Sequence, residues 1–293
     1  MAKTTINNPL FANVEKFFDQ SKIRAFTGKG FQRVIESNRK AWGISKRYTV
    51  DNLLQHFINS NAITVNYFIQ NSGDSIPIYS WKSNDDFTAM SGLKPNVYFS
   101  HYTSLYLHQL SLQLPKTIYL NYEHGKLSGA DKRDVHLTQE AIDVAFKAGQ
   151  RSSQQAFFFR DKKVVLLNGK YTNKLGVINI STAEKCYDYT DLERTLIDVC
   201  VRPVYAGGVF EVLEAFKQAK GKLNVAKLED YLNALDFIYP YHQVVGFYLE
   251  RAEYPEEEIE RFRRESKFKF YLTYNMRNKE YSEKWCLYYP KGL

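Results

Sequence analysis

Residues 50–59 combine an apolar stripe at helical spacing with a polar face that consists largely of amides. The stripe is formed by Val50, Leu53, Leu54, Phe57 and Ile58, and the opposite face by Asn52, Gln55, His56 and Asn59. Side-chain amides can form paired hydrogen bonds with the edge of adenine in the major groove of DNA. Thr49 precedes the stripe and is a suitable N-cap. We therefore expect a helix over 50–59 whose outer face suits contacts with base edges.

The chain carries most of its net charge just before this helix. Residues 20–50 contain eight basic residues and one acidic residue, Glu36, so this segment holds +7 of the net charge of +8 of the whole chain. The basic residues are Lys22, Arg24, Lys29, Arg33, Arg39, Lys40, Lys46 and Arg47. Cations at this density suit the phosphates of a nucleic acid, and the alternative is an ordinary solvated helical face. We expect the cations and Thr49 to bind the DNA backbone, beside the amides of the helix.

The elements that would position these side chains follow one another in an informative order. The apolar pattern of residues 30–42 predicts a helix, and the helix 50–59 follows after a short turn. Residues 63–69 and 76–81 have the pattern of two strands of a hairpin, with Pro77 at an edge. Two helices followed by a hairpin are typical of a winged helix-turn-helix, whose second helix enters the major groove. The alternative is a small structural subdomain with ordinary polar exposure.

Beyond residue 90 the predicted strands and helices alternate. Residues 91–95 (SGLKP) are the best linker candidate. The sequence 190–193 (TDLE) is a capping-box pattern and predicts the start of a helix. We therefore predict an α/β (α+β) protein, with a winged helix-turn-helix DNA-binding domain at 1–90 and a mixed α/β domain at 91–293.

Composition excludes several classes of protein. Hydrophobic residues make up 44% of the chain and charged residues 25%, which excludes wholesale disorder. The three cysteines are far apart and form no C-x-x-C pair, so neither a disulfide framework nor a zinc site is indicated. The N-terminus lacks the apolar core of a secretory signal, and no stretch has the composition of a membrane span. We expect a cytoplasmic protein that does not contact a membrane.

Motifs of enzymes are missing or weak. The chain has no phosphate loop, G-x-G-x-x-G, G-x-S-x-G or H-E-x-x-H. His101 and His108 share a predicted helix, but structural histidines are a simpler interpretation than a metal pair. Ser104 with His101 would form a nucleophile–base pair without an orienting acid. The tripeptides 161–163 (DKK) and 265–267 (ESK) match half of a nuclease pattern. We expect no catalytic residue, no cofactor and no metal.

A charged group precedes two glycines in the second half of the chain. Arg194 and Asp198 are four residues apart on a predicted helix, a spacing that permits an ion pair. Arg202 follows them, and Gly207 and Gly208 come next. The pattern suits either a site for an anionic substrate or a structural network that holds the helix ends, and both interpretations stay open.

A set of short segments spread over nearly the whole chain is recognisable. The segments are 100–102 (SHY), 107–108 (LH), 115–121 (PKTIYLN), 193–198 (ERTLID), 201–209 (VRPVYAGGV), 239–243 (YPYHQ) and 246–252 (GFYLERA). Together they resemble the AbiEi family, the antitoxin half of bacterial abortive-infection toxin–antitoxin pairs. The two consecutive segments that read ERTLID and VRPVYAGGV are the most specific part of this resemblance.

The resemblance implies a two-domain antitoxin and transcriptional repressor of a type IV toxin–antitoxin system, a system of antiviral defence. Its winged helix would bind inverted repeats of double-stranded DNA in its own promoter. Its C-terminal domain would oppose a nucleotidyltransferase-like toxin, without a stable complex. The motif residues of that domain would be Arg194, Asp198, Arg202, Tyr205, Gly207 and Gly208. Some relatives have restriction-endonuclease-like folds, so one alternative is a DNA-directed, nuclease-like defence enzyme. Another is an interaction protein whose basic segment binds the toxin.

Overall fold

The computed structural model describes residues 11–111, 113–125 and 137–293; residues 1–10 of the predicted first domain lie outside the described part. Its helices are α1 (Ala12–Gln20), α2 (Gly28–Asn38), α3 (Val50–Asn59), α4 (Asp86–Ser91), α5 (His101–Leu107), α6 (Gln139–Lys147), α7 (Leu192–Val201), α8 (Val209–Ala219), α9 (Val225–Leu235), α10 (Tyr241–Arg251) and α11 (Glu256–Glu260). Its strands are β1 (Ala25–Thr27), β2 (Ile63–Gln70), β3 (Ser75–Trp81), β4 (Tyr98–Phe99), β5 (Thr117–Glu123), β6 (Ala156–Phe159), β7 (Lys162–Gly169), β8 (Val177–Ser181), β9 (Cys186–Thr190), β10 (Phe270–Tyr271), β11 (Lys279–Ser282) and β12 (Leu287–Pro290).

Helices and strands are mixed along the chain, so the predicted α/β (α+β) class is confirmed at this level. The chain forms two compact units. Of the described residues, the first unit comprises those up to Tyr98 with Gln155–Val164 and Asn179–Asp188, and the second comprises those within Phe99–Gln154, Val165–Ile178 and Tyr189–Leu293. The division into domains at residue 90 stays a prediction. None of the described helices has both the length and the apolar character that crossing a membrane requires.

In the first unit the elements follow in the order α1, β1, α2, α3, β2, β3. The sheet order is β1-β3-β2-β6, and these neighbours pair antiparallel. β3 is an inner strand of this sheet, because Tyr79 pairs with Phe26 of β1 and with Val65 of β2. Pro77 pairs with Tyr67 but lies outside the β1–β3 register, at an open edge as expected. The sequence pattern did not predict β1, since three residues are too few to show alternation.

Threonine N-caps fix the starts of α2 and α3. Thr27 Oγ1 accepts a hydrogen bond from the backbone N–H of Gly30 at 3.1 Å. Thr49 Oγ1 accepts from the backbone N–H of Asn52 at the same distance, which confirms the predicted N-cap. The prediction that the preceding helix runs to residue 42 is wrong at its end. The helix ends at Asn38, whose side-chain Nδ2 donates to a backbone carbonyl one turn earlier at 2.9 Å and so competes with the helical pattern.

A cluster of aromatic rings holds α3 against the β2–β3 hairpin. Phe18, Phe31, Phe57 and Trp81 are fully buried. The centroid of the Trp81 ring lies 5.0 Å from that of Phe18 and 5.1 Å from that of Phe57. Trp81 Nε1 donates to Asp19 Oδ1 at 2.8 Å, so the polar atom of the indole has a partner. Burial of each phenylalanine ring contributes about 1.5–3 kcal/mol, which is enough to fix the orientation of α3.

The second unit has its core around α7, where every residue from Glu193 to Cys200 is buried. In the sheet order β5 lies between β7 and β4, and β4 pairs in parallel with β9 through Phe99 and Tyr189. A separate sheet has the order β10-β12-β11. Trp285 packs so closely on α10 that a Cβ atom at Gly246 would overlap its ring.

The start of α7 differs from the prediction by one residue. Asp191, not Thr190, is the N-cap, and its Oδ1 accepts from the backbone N–H of Arg194 at 2.9 Å. Glu193 binds Lys227 Nζ at 2.8 Å instead of returning to the cap. The predicted capping box is therefore wrong. A carboxylate is a strong acceptor at a helix N-terminus, and the glutamate has a cation within reach.

Candidate functional site

The polar face of α3 is open to solvent in the first unit. Asn52, Gln55 and Asn59 are exposed, whereas the two leucines of the helix are buried. The Thr49 hydroxyl donates to Asn52 Oδ1 at 2.7 Å, which orients this amide at the first turn of the helix. Three amides therefore stand on one exposed helical face, without apolar residues between them.

His56 departs from the predicted polar face. Its ring centroid lies 4.7 Å from that of Phe11 and 5.3 Å from that of Phe57, and the residue is half-buried. Phe11 lies immediately before α1, a helix that the sequence pattern did not predict. The prediction is therefore wrong for His56, because the ring that covers it could not be foreseen.

Six of the cations that were expected to bind phosphate are exposed and have no carboxylate partner among the described residues. They are Lys22, Lys29, Arg33, Lys40, Lys46 and Arg47. Lys46 and Arg47 lie just before the N-cap of α3, where the helix dipole adds to their positive potential. Arg47 also stacks its guanidinium 5.3 Å from the ring centroid of Tyr48. This end of α3 has the charge that an anionic backbone requires.

Arg39 and Arg24, which the charge pattern groups with these cations, make contacts within the fold. Arg39 Nη2 lies 2.9 Å from Glu36 Oε1, and its Nη1 donates to the carbonyls of Ser45 and Tyr48 at 3.2 and 3.0 Å. The hydrogen bond from Arg39 lowers the pKa of Glu36. Arg24 Nη2 donates to the last turn of α1 at 2.9 Å. Arg39 thus holds the connection between α2 and α3.

In the second unit, Arg194 and Asp198 form the ion pair that their spacing permits. Arg194 Nε lies 2.8 Å from Asp198 Oδ1, and the two residues are 6% and 9% exposed. Arg194 Nη1 also donates to the carbonyl of Leu175 at 2.8 Å and to Thr172 Oγ1 at 3.2 Å. A Cβ atom at Gly176 would lie 2.6 Å from Arg194 Cβ, so this turn needs a glycine. The pair therefore joins α7 to the segment before β8.

The residues after α7 turn the chain into α8. Arg202 Nη1 donates to the carbonyl of Arg151 at 3.2 Å. The buried Tyr205 hydroxyl accepts from a backbone N–H of the same loop as Arg151, at 3.1 Å. Gly207 and Gly208 have φ angles of +85° and +107°, a region that favours glycine. The two glycines thus have a backbone role, whereas Arg202 and Tyr205 face a loop.

Arg194, Asp198, Arg202 and Tyr205 line a cavity of about 450 Å³ within the second unit. This volume is typical of sites for small ligands. Its charged lining consists of Arg151, Lys170, Arg194, Arg202 and Asp198. Lys170 Nζ donates to the carbonyls of Leu235 and Asp236 at 3.0 and 3.1 Å. Sequence reasoning missed Arg151 and Lys170, because both lie in connections between elements and keep no regular spacing from the 194–202 group.

His101 lies in the wall of this cavity in a left-handed backbone conformation, with a φ of +54°. Burial lowers the pKa of His101 to about 4, so the ring is neutral at pH 7. Its Nδ1 lies 2.9 Å from the Oγ of Ser100. Ser104 donates to a backbone carbonyl and not to His101. His108 binds a different carbonyl at 2.8 Å through its Nε2.

The tripeptides of the nuclease pattern lie on the surface. Asp161 is exposed at the turn between β6 and β7 and bonds Lys162 Nζ at 2.9 Å, a contact that lowers the pKa of Asp161. Glu265 is exposed in the segment after α11. Within the described ranges, no three or more histidine, cysteine, aspartate or glutamate side chains are grouped so as to hold a metal ion.

Comparison with known proteins adds a distant structural likeness. No family model and no curated protein matches the chain. The chain is similar to a crystal structure of the Rv2827c protein from Mycobacterium tuberculosis, with a TM-score of 0.49 and 9% sequence identity over 96% of this chain and 92% of that chain. At this level of similarity we infer no function from it, and the resemblance to the AbiEi family stays a prediction.

Proposed function

We propose that the protein is a DNA-binding transcriptional repressor of its own promoter, and that its N-terminal part, up to residue 90, is a winged helix-turn-helix. The observation that carries this proposal is the position of α3 directly before the β2–β3 hairpin, with an outer face of exposed amides. In such a domain the second helix of the pair enters the major groove, and the hairpin is the wing. The sheet order β1-β3-β2 agrees with this assignment, because it seats the hairpin on a strand that precedes both helices.

The charges around α3 support the same proposal. Lys46 and Arg47 lie at its N-terminus, beside Asn52 and Gln55 of the exposed face. Cations position a protein on phosphates, and side chains on the helix then read the bases. Both kinds of side chain are needed for a repressor that recognises one operator among random sequences.

We further propose that the second unit is the antitoxin part and opposes a nucleotidyltransferase-like toxin encoded nearby. The support is the resemblance of residues 193–209 to the AbiEi family, together with the position of Arg202 and Tyr205 in the wall of a cavity. Arg202 is partly exposed at that wall, so its guanidinium is accessible to a partner or ligand.

The DNA-binding proposal is tested with duplexes of about 30 base pairs that tile the region upstream of the protein's own coding sequence. Fluorescence anisotropy of the full chain should identify one duplex, containing an inverted repeat, that binds at least 10³-fold more tightly than a shuffled duplex. Equal affinity for all duplexes at physiological salt would contradict a sequence-specific repressor.

The antitoxin proposal is tested by co-expression with the product of the adjacent gene. The wild-type chain should restore growth, Arg202→Ala should lose this protection, and the exposed Arg277→Ala should keep it. Loss of protection must occur at an unchanged amount of soluble, folded protein. A neighbour that is not toxic, or full protection by Arg202→Ala, would count against this part of the proposal.

A further inference from the structure

The cavity of the second unit carries a positive charge that the protein does not neutralise. Arg194 and Asp198 compensate each other as a buried pair. Arg151, Lys170 and Arg202 also line the cavity, and no carboxylate within the described residues forms an ion pair with any of them. Three cations around one cavity repel one another, and an anion that enters removes this repulsion.

Two of the three cations, Lys170 and Arg202, rest on neutral groups and keep donors free for a ligand, and the side chain of Arg151 is exposed. Lys170 Nζ uses two of its three donors on the carbonyls of Leu235 and Asp236 at the end of α9, where the helix dipole favours a cation. Arg202 uses Nη1 on the carbonyl of Arg151. A guanidinium has five donors arranged for paired bonds to phosphate, so Arg202 can bind a phosphate in two places at once.

The rest of the lining suits a flat ring. Tyr205 and Phe237 contribute aromatic surface, and Leu167, Val201 and Leu235 contribute apolar surface. Phe237 is held edge-on against Tyr241, with ring centroids 5.2 Å apart. A rigid aromatic wall next to a group of cations fits a ligand that has a planar ring at one end and a phosphate at the other.

We propose that this cavity binds a nucleoside phosphate, with the phosphate on Arg151, Lys170 and Arg202 and the base against Tyr205 and Phe237. The observation behind it is the juxtaposition of three cations without carboxylate partners and two aromatic side chains around about 450 Å³. The proposal concerns the second unit by itself and does not depend on DNA binding.

Isothermal titration calorimetry of the full chain tests this proposal with four nucleoside 5′-monophosphates, ribose 5-phosphate and inorganic phosphate. At least one nucleotide should bind at least 10-fold more tightly than ribose 5-phosphate, because only the nucleotide reaches the aromatic wall. Equal affinity for the nucleotides and ribose 5-phosphate would overturn the assignment of a base site. Absence of heat for every probe at millimolar concentration would overturn the whole proposal.

Variants locate the bound ligand. Arg151→Gln and Arg202→Gln should each weaken nucleotide binding at least 10-fold, and Arg277→Gln, an exposed arginine of the same unit outside the cavity lining, should not. Phe237→Leu should weaken nucleotide binding but leave the affinity for inorganic phosphate unchanged. Thermal unfolding of each variant identifies any loss of fold. Folded Arg151→Gln and Arg202→Gln proteins with unchanged affinity would show that the nucleotide binds elsewhere.

Discussion

The residue that most clearly combines structure with chemistry is Arg194, because its guanidinium is buried and donates to a carboxylate and to backbone and hydroxyl oxygens of another segment. Its Nε binds Asp198, and its Nη1 binds the segment before β8. The spacing of four residues was enough to predict this ion pair. The choice between a structural network and an anion site depended on residues far away in sequence. The Arg194–Asp198 pair joins α7 to the segment before β8, and both residues also line the cavity beside Arg202 and Arg151, so the two interpretations stay open.

Removal of Asp198 tests the structural role of this pair. Asp198→Ala leaves a buried guanidinium without its counter-charge, and we expect the free energy of unfolding to fall by about 3–5 kcal/mol. Asp198→Asn keeps an oxygen acceptor for Arg194 Nε, so its free energy of unfolding should fall by less than that of Asp198→Ala. Urea unfolding at pH 7 measures both variants. A loss below about 1 kcal/mol for Asp198→Ala would mean that the pair does not support the fold.

His101 makes stability depend on pH. Burial lowers the pKa of His101 to about 4 in the folded protein, against about 6.5 in an unfolded chain. Between these pH values the unfolded chain binds the proton more readily than the folded protein does. The contribution of the neutral, buried His101 to the free energy of unfolding is therefore complete above pH 6.5 and is lost as the pH falls towards 4. On going from pH 7 to pH 4.5, the wild type should lose about 2–3 kcal/mol more than His101→Asn.

Asparagine is the matched replacement for this test because it tolerates the left-handed backbone of residue 101 and does not titrate. The half-buried His242, whose pKa desolvation also lowers to about 4, is present in both proteins and cancels. Urea midpoints at the two pH values give the difference. Parallel loss of stability in both proteins would refute the assignment to His101.

At the scale of elements, those with a regular apolar pattern were predictable and several others were not. The helix α3 and the β2–β3 hairpin follow from apolar residues at periods of 3.6 and 2. Strands β1, β9 and β11 were not predicted, because three to five residues that include charged or polar side chains show no clear period. The end of α2 was wrong because a local side-chain bond at Asn38 competed with an apolar pattern that continued to residue 42.

A substitution of Arg39 tests how the connection between α2 and α3 is held. Its guanidinium binds Glu36 and two carbonyls of the connection before α3, a geometry that lysine cannot reproduce. We expect Arg39→Lys to lower the free energy of unfolding by about 1–3 kcal/mol although the charge is unchanged. Arg33→Lys, on the exposed face of α2, should stay within about 0.5 kcal/mol of the wild type.

Urea unfolding of the two variants, followed by the intrinsic fluorescence of the three tryptophans, measures this difference. A lysine at position 39 that costs no more than the lysine at position 33 would mean that the hydrogen bonds of Arg39 do not hold the connection. In that case Arg39 would be one of the surface cations that the charge pattern predicts to bind phosphate.

At the scale of the whole molecule, charge is the property that links sequence to proposed function. The segment 20–50 carries +7 of the net +8, and this excess was visible in the sequence. The three cations of the cavity were not visible as a group, because residues 151, 170 and 202 meet only through the fold. We therefore expect two sites for anions, one for a polymer on the first unit and one for a small ligand within the second.

The central claim is that α3 reads sequence while the cations before it bind phosphate. The measurement is a salt titration of binding to operator and shuffled duplexes for Lys46→Ala, Arg47→Ala, Asn52→Ala and Gln55→Ala. Each lysine or arginine variant should weaken binding to both duplexes and lower the salt slope by about 1. Each amide variant should lose about 1–3 kcal/mol on the operator and little on the shuffled duplex. If all four variants weakened binding to the operator and to the shuffled duplex equally, α3 would not read sequence and the claim would be contradicted.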